Sequence, residues 1–445
     1  MHAVEHWADF IERSRNAPLA PEVLHHAKRA VIDWSAALLP GALLAPATLL
    51  ERALAEELGH GRARLALGRP AGVRAAALIN AAAAHTVEVD DIFRDGIYHP
   101  GAPTIAAALA TAQDCAAGGE AFLRAVVAGY EISTRIGVAM GRAHYRYWHN
   151  TATVGAFGAC AAAASLLGLE RTRAAHALAT AATFAAGLQQ AFRMDSMSKP
   201  LHAGRAAESG LTAAYAAREG VTGSLDVIEG EAGFGRAMGD APDWEKSFAT
   251  LGTEFNITRM TFKNHACCGH TFAAIDGALA AQAVLGADAG DIARVRVGSY
   301  RAALEVSGIE DPRTPAEARF SLKYVVAHAL RHGSVRLAAF APERLQDSAT
   351  RALMQRVEVA IDPELDAAFP GRRAARVALE TRDGRRHEHY QPTRKGDPDA
   401  PLDDRELEAK YVELAAPVIG EAPARALLAR LWRLEREPAV AIARA

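Results

Sequence analysis

Alanine sets the terms for this chain. Runs such as ACAAAASLLGL (159–169) and AAHALATAATFAAGL (174–188) are almost wholly small or apolar. A helix that is apolar all round has no solvent face and must be covered by other helices, and alanine lets their backbones approach closely. The segment 120–143, EAFLRAVVAGYEISTRIGVAMGRA, places Phe122, Val126, Val127, Tyr130, Ile132, Ile136 and Met140 at helical spacing. Up to about residue 255 the pattern predicts a multi-helix bundle with no sheet.

Beyond that point the period changes. IARVRVGSY alternates Val295 and Val297 with charged neighbours, and QRVEVAID does the same with Val357, Val359 and Ile361. ARVALETRDGRRHEHY carries Asp383-Gly384, a two-residue hairpin signal. Helical stretches lie between these strands, HTFAAIDGALAAQAVLG and SLKYVVAHALRHG. After PTRKGDPDAPL the helical pattern returns from about Asp403. The expected class is therefore mainly α: a large helical domain from residues 1–255 plus 396–445, and a smaller inserted α+β domain over 256–395.

Charge and cysteine usage narrow the partners. A formal charge of −2 over 445 residues gives no field that would draw the chain to nucleic acid or to anionic lipid. The apolar runs are too short and broken to span a bilayer. Four cysteines, two of them adjacent (Cys267 and Cys268), make no disulfide framework and suit a reducing compartment. The start MHAVEHWADFIERSR lacks the basic n-region and continuous apolar core of a secretory signal. The expectation is a soluble, cytoplasmic protein.

Five segments carry more polar chemistry than their surroundings need. EVDDIFRDGIYHPGAPT follows an alanine-rich helix with Glu88, Asp90, Asp91 and Asp95, then His99. Capping of the next turn by Asp90 and Asp91 is the plain structural alternative there. HYRYWHNTATVGAFG offers Tyr147 and His149 ahead of a small-residue helix; an aromatic plug with a capping histidine would look the same. RMDSMSKPLHAGRAAESG sets Lys199 and His202 at a helix start, with Ser196 and Ser198 placed to cap it. A helix start flanked by cations suits a carboxylate ligand, though an ordinary loop with a solvated lysine gives the same letters. MTFKNHACCGHTFAAIDG places Lys263 before His265, Cys267, Cys268 and His270, a spacing that fits no standard zinc pattern. FSLKYVVAHALRHG puts Tyr324 on an apolar helix, where a core tyrosine is the default. No dinucleotide or Walker loop, H-E-x-x-H or G-x-S-x-G occurs. Lysine, histidine, tyrosine and carboxylate together suit proton transfer at a carbon beside a carboxylate, with the cations holding negative charge.

Taken in order, these segments resemble the MmgE/PrpD family, which includes 2-methylcitrate dehydratase, cis-aconitate decarboxylase and iminodisuccinate epimerase. HTVEVDD followed by HPGAP, SKPLHAGRAAESGLTAA, FKNHACCGHTFAAIDGAL, FSLKYVVAHALRHG and RKGDPDAPLDDRELEAKY each resemble a family signature. The resemblance implies an all-helical domain with an α+β lid, a homodimer, no metal or organic cofactor, and a site in a cleft between domains. It implies catalytic roles for Lys199, Lys263, His99 and His149; the residues themselves add Tyr147, from the aromatic run, as a second acid–base candidate, and Asp91, from the knot of acids. Glu88, Asp90, Ile92, Ser198, His202, Cys268 and Tyr324 would line the substrate. Glu88 stands where family members carry Asp. Ile92 stands where the decarboxylase carries Thr, which removes a donor and points away from cis-aconitate itself. The expected function is a cofactor-independent lyase, of dehydratase or decarboxylase type, acting on a small di- or tricarboxylic acid. An epimerase of a dicarboxylic acid such as iminodisuccinate is the alternative, and a non-catalytic carboxylate-binding helical protein the second.

Overall fold

Helix Asn150–Leu166 is buried along nearly its whole length. Helices Ser198–Arg218, Gly119–Tyr145, Gly101–Asp114 and Arg171–Phe184 pack around it. Missing side chains permit this. A Cβ on Gly210 would lie 2.2 Å from the carbonyl oxygen of Ala156, and one on Gly129 would lie 2.6 Å from that of Gly158. The alanine-rich sequence thus becomes a set of close helix–helix contacts around one buried axis.

These features come from a computed structural model, described here for residues 1–192, 196–369 and 371–441. The segment RMDSMSKPLHAGRAAESG, residues 193–210, is therefore described only from Ser196. The fold is mainly α, with twenty α-helices among the described residues. No helix among them is long and apolar enough to cross a membrane. The chain divides into two units, Met1–Thr261 with Asp403–Ala445, and Phe262–Leu402.

The first unit is not sheet-free, contrary to the sequence expectation. Strands β1 (Leu58–Arg64) and β2 (Pro70–Ala71) form a small antiparallel ribbon. LGHGRAR has no apolar alternation, and four of its seven residues are exposed, so periodicity cannot reveal it. Helix Asp404–Ile419 opens with a capping box, in which Asp403 accepts from the N–H of Glu406 and Glu406 accepts from that of Asp403. It packs on helix Pro21–Gly41. Buried between them, Lys410 Nζ donates to Asp33 at 2.5 Å and to the carbonyl of Val89 at 2.7 Å.

The second unit holds one four-stranded sheet in the order β4-β3-β5-β6, from β3 (Ile292–Ser299), β4 (Val357–Ile361), β5 (Ala375–Thr381) and β6 (Arg386–Gln391). Strand β3 runs parallel to β4 and antiparallel to β5; Val297 faces Val359 on one side and Val377 on the other. Helices Phe272–Leu285 and Leu322–His332 pack with it. The hairpin at Asp383-Gly384 is present, but its loop has three residues rather than two. Glu380 pairs with Arg386 and the Thr381 N–H donates to the Arg385 carbonyl. Gly384, at φ +88°, supplies the left-handed residue such a loop requires.

Candidate active site

The site begins where helix Val73–Thr86 stops. His85 sits fully buried in its last turn. The C-cap Val87 is still right-handed, and the next residue, Glu88, turns the chain at φ +60°. A left-handed residue just past the last turn is a usual helix stop, but it is normally glycine. The chain then presents Val89, whose carbonyl is held by Lys410, and the two aspartates.

Those aspartates face different partners. Asp90 Oδ2 lies 2.7 Å from His85 Nδ1 and 3.2 Å from His99 Nδ1. Burial alone would push the Asp90 carboxyl up, but the two histidines outweigh it and hold it well below the ordinary carboxylate range. Asp91 accepts from the Gly101 N–H at 3.0 Å and from the Tyr130 hydroxyl at 2.7 Å. Its carboxyl is pushed well above the usual value, first by burial and then by Asp33. A Cβ on Gly101 would come 2.7 Å from Asp91 Oδ1, so only glycine lets helix Gly101–Asp114 start there.

The loop between Asp91 and His99 is tied down along its length. Ile92 and Thr261 exchange backbone hydrogen bonds of 2.9 Å, and Phe93 bridges to Tyr98. The Asn150 amide donates to the Gly96 carbonyl, and the His99 N–H donates to Thr151 Oγ1 at 3.2 Å. Asp95 is half-exposed and pairs with Arg259.

His149 faces this loop as N-cap of helix Asn150–Leu166, without a side-chain capping bond. Its N–H donates to the carbonyl of Gly187. Its ring stacks on His85 with centroids 5.7 Å apart, and His85 in turn packs against His99 at 4.7 Å. Burial drives His149 well below its usual pKa, and His85 and Lys199 push it further down. Helix Ser198–Arg218 completes the group. Lys199 and His202, three residues apart, share one face. Lys199 Nζ pairs with Glu88, and His202 Nδ1 lies 3.0 Å from His149 Nδ1.

Six residues picked out in the sequence, Glu88, Asp90, His99, His149, Lys199 and His202, therefore converge in one unit. His85 joins them unforeseen. It opened the HTVEVDD motif, but on an alanine-rich helix a lone histidine looks like a core residue. Asp91 sits behind the group as an anchor for the next helix start. Ile92 is half-buried and tied through its backbone. Tyr147 is 60% exposed, with the Arg146 guanidinium 5.1 Å over its ring. Ser198 is exposed inside the first turn, and Met197, not a serine, is the N-cap. Ser196, one residue before the N-cap, donates to the Ala191 carbonyl and accepts the N–H of Ser198, the first helical residue, at 3.4 Å.

The remaining candidates belong to the second unit. Lys263 is buried. His265 Nε2 bonds Asp276 Oδ1 at 2.9 Å, and Asp276 Oδ2 accepts the Lys395 N–H. Cys267 packs its thiol on Thr271 Oγ1, and burial pushes it up to about 12. The Cys268 N–H donates to the Arg319 carbonyl. His270 bonds the Tyr300 hydroxyl. Tyr324 is fully buried and donates to the Ala339 carbonyl at 2.5 Å. Among the described residues, the group spaced to share an ion is not this one but His85, Asp90 and His99, whose ligand atoms lie within 4.8 Å of one another. His85 makes a 2.7 Å hydrogen bond to Asp90 Oδ2, and His99 Nδ1 stands 3.2 Å from the same oxygen, at ion-pair distance.

A buried histidine, an ammonium held by a carboxylate, and an aspartate between two histidines stand together here, residue types whose chemistry suits proton transfer and the holding of negative charge. The family model for the MmgE/PrpD N-terminal domain matches residues 5–247, and that for the MmgE/PrpD C-terminal domain matches residues 265–435. The chain belongs to the MmgE/PrpD family, and it is an enzyme of lyase type. It is 28% identical to the cis-aconitate decarboxylase-like protein oryM of Aspergillus oryzae, over 92% of this chain and 90% of that one. It is 26% identical to human cis-aconitate decarboxylase over 81% of this chain and 76% of the other. With cis-aconitate decarboxylase of Aspergillus terreus it shares 28% identity over 59% of its length and 56% of the relative's.

Proposed function

We propose that this enzyme decarboxylates a small unsaturated tricarboxylic acid of the cis-aconitate kind, without a metal or organic cofactor. The observation that carries the reading is Lys199 beside His149. The ammonium is positioned by Glu88, and the histidine is kept neutral by burial and by that same charge. Lys199 would hold a substrate carboxylate, and His149 would move the proton.

The reaction balances with one proton. The C–C bond to one carboxylate breaks and CO₂ leaves. The bond pair passes onto the neighbouring double bond and remaining carboxylate, where cations stabilise it. An acid then places one proton on carbon, so a trianion and a proton become a dianion and CO₂. His99, fixed by Asp90, is the second histidine available to that charge.

The test is NMR of the purified enzyme with a panel of di- and tricarboxylates in D₂O. The expected result is CO₂ release with one deuterium in the product. Water loss without CO₂ would make it a dehydratase. Deuterium at the α carbon with inversion and no elimination would make it an epimerase and end the lyase proposal. Lys199→Ala should lower turnover at least roughly a hundredfold, the scale of losing a charge clamp or acid–base group. A folded variant with near-normal rate would remove Lys199 from the site.

A further inference from the structure

A buried histidine that gives away one proton per turnover has to be reloaded. His149 is 3% exposed. Its ring is closed in by His85 and its backbone by Gly187. His202 is half-buried and lies nearer to water. The two rings meet Nδ1 to Nδ1 at 3.0 Å, a distance that holds one proton and one lone pair. When that proton sits on His202, neutral His149 carries its own on Nε2 and is an acid. When it sits on His149, Nε2 carries a lone pair and the ring is a base. Transfer across the gap, coupled to loss of the Nε2 proton, therefore switches His149 from acid to base with the ring neutral before and after.

We propose that His202 is a proton relay: as His149 gives its Nε2 proton to the substrate, His202 passes its Nδ1 proton to His149 Nδ1 and takes one from solvent at its own Nε2, so both rings end neutral in the opposite tautomer. After product leaves, the reverse shift resets them, water giving a proton to His149 Nε2 and taking one from His202 Nε2. No second full positive charge need stay in the group. Lys199, on the same helix face as His202, and the rings of His85 and His99 oppose one at His149, and the carboxylates of Glu88 and Asp90 offset part of that opposition. The contact is also built. Gly187, at φ +138°, runs so close that a Cβ there would lie 2.4 Å from that of Ala152 and 3.4 Å from His202 Nδ1. The inference rests on the proton-consuming reaction proposed above, and His202 acts only through His149.

The experiment compares His202→Ala and His202→Asn with wild type. Asparagine keeps a hydrogen-bonding group at the position but cannot exchange tautomers. We expect kcat to fall at least tenfold in both with KM within twofold. Added imidazole should restore part of the rate in His202→Ala and none in His202→Asn. In ¹⁵N-histidine-labelled wild type, His149 should show exchange between its two tautomers, and in both variants a single one. Wild-type kcat in His202→Asn, or a loss that imidazole leaves untouched with KM rising in step, overturns the relay. If wild type releases no CO₂ but exchanges a substrate proton with D₂O, the decarboxylase reading fails alone, and the same variants are read by exchange rate.

Discussion

Glu88 carries two effects of opposite sign. Its backbone is left-handed at φ +60°, a conformation that costs a residue with a Cβ roughly 1–2 kcal/mol. Its carboxylate is what places Lys199. Glu88→Gly should therefore leave the melting temperature within a few degrees of wild type, because the relieved strain offsets a half-exposed ion pair worth about 1 kcal/mol at most. Turnover should fall at least tenfold. Calorimetry beside steady-state kinetics checks both; a variant that loses stability and keeps its rate would make Glu88 a structural prop. At this scale the sequence is only partly legible. It marks the knot of acids, yet Asp90 and Asp91 stand side by side with equal claims. The turn at Glu88 separates them, sending one to the histidines and the other to Tyr130 and Gly101. His85 stayed hidden for the converse reason: nothing local distinguishes a ligand of Asp90 from an ordinary helix histidine.

Elements read more easily than single residues where one periodicity runs long enough. Helix Gly119–Tyr145 and strands β3, β4 and β5 lie where spacing predicts them. The ribbon of β1 and β2 and the length of the β5–β6 loop are not legible in the sequence, since both depend on left-handed glycines (Gly59, Gly61 and Gly384), whose spacing carries no hydrophobic period. The contact between helices Asn150–Leu166 and Ser198–Arg218 matters most for function, because it sets His149 against Lys199 and His202. It depends on Gly210, where a Cβ would meet the Ala156 carbonyl at 2.2 Å and the Cys160 nitrogen at 2.7 Å. Both are backbone atoms and have little freedom to yield. Gly210→Ala should cost about 1–3 kcal/mol despite alanine's better helix propensity. Chemical unfolding measures this; an unchanged or raised midpoint would mean the two helices part without loss. Because the pair also spaces the site, kcat should fall along with stability.

Across the whole molecule, burial holds several histidines neutral, and acid should work against the fold through them. His144, His270 and His328 are each pushed down to about 4, in every case chiefly by desolvation. The unfolded chain takes up these protons near pH 6.5 while the fold refuses them until about 4, so stability is full above 6.5 and drains between those limits. Three buried acids pull the other way: Asp33, raised to about 6, with Asp91 and Glu131 also raised, gain protons in the fold first. A bare pH curve mixes these opposing signs, whereas a single-site comparison separates them. His144 is fully buried between the Met238 carbonyl and Thr153 Oγ1. It lies off the proposed relay, and glutamine can keep a hydrogen bond to either neighbour. Between pH 7 and pH 5, wild type should lose about 2 kcal/mol more than His144→Gln, the cost at pH 5 of a histidine moved from 6.5 to about 4. Urea unfolding of both proteins at the two pH values gives the difference directly. Parallel losses would mean that His144 charges inside the fold as readily as outside it, and that its burial does not set its proton affinity.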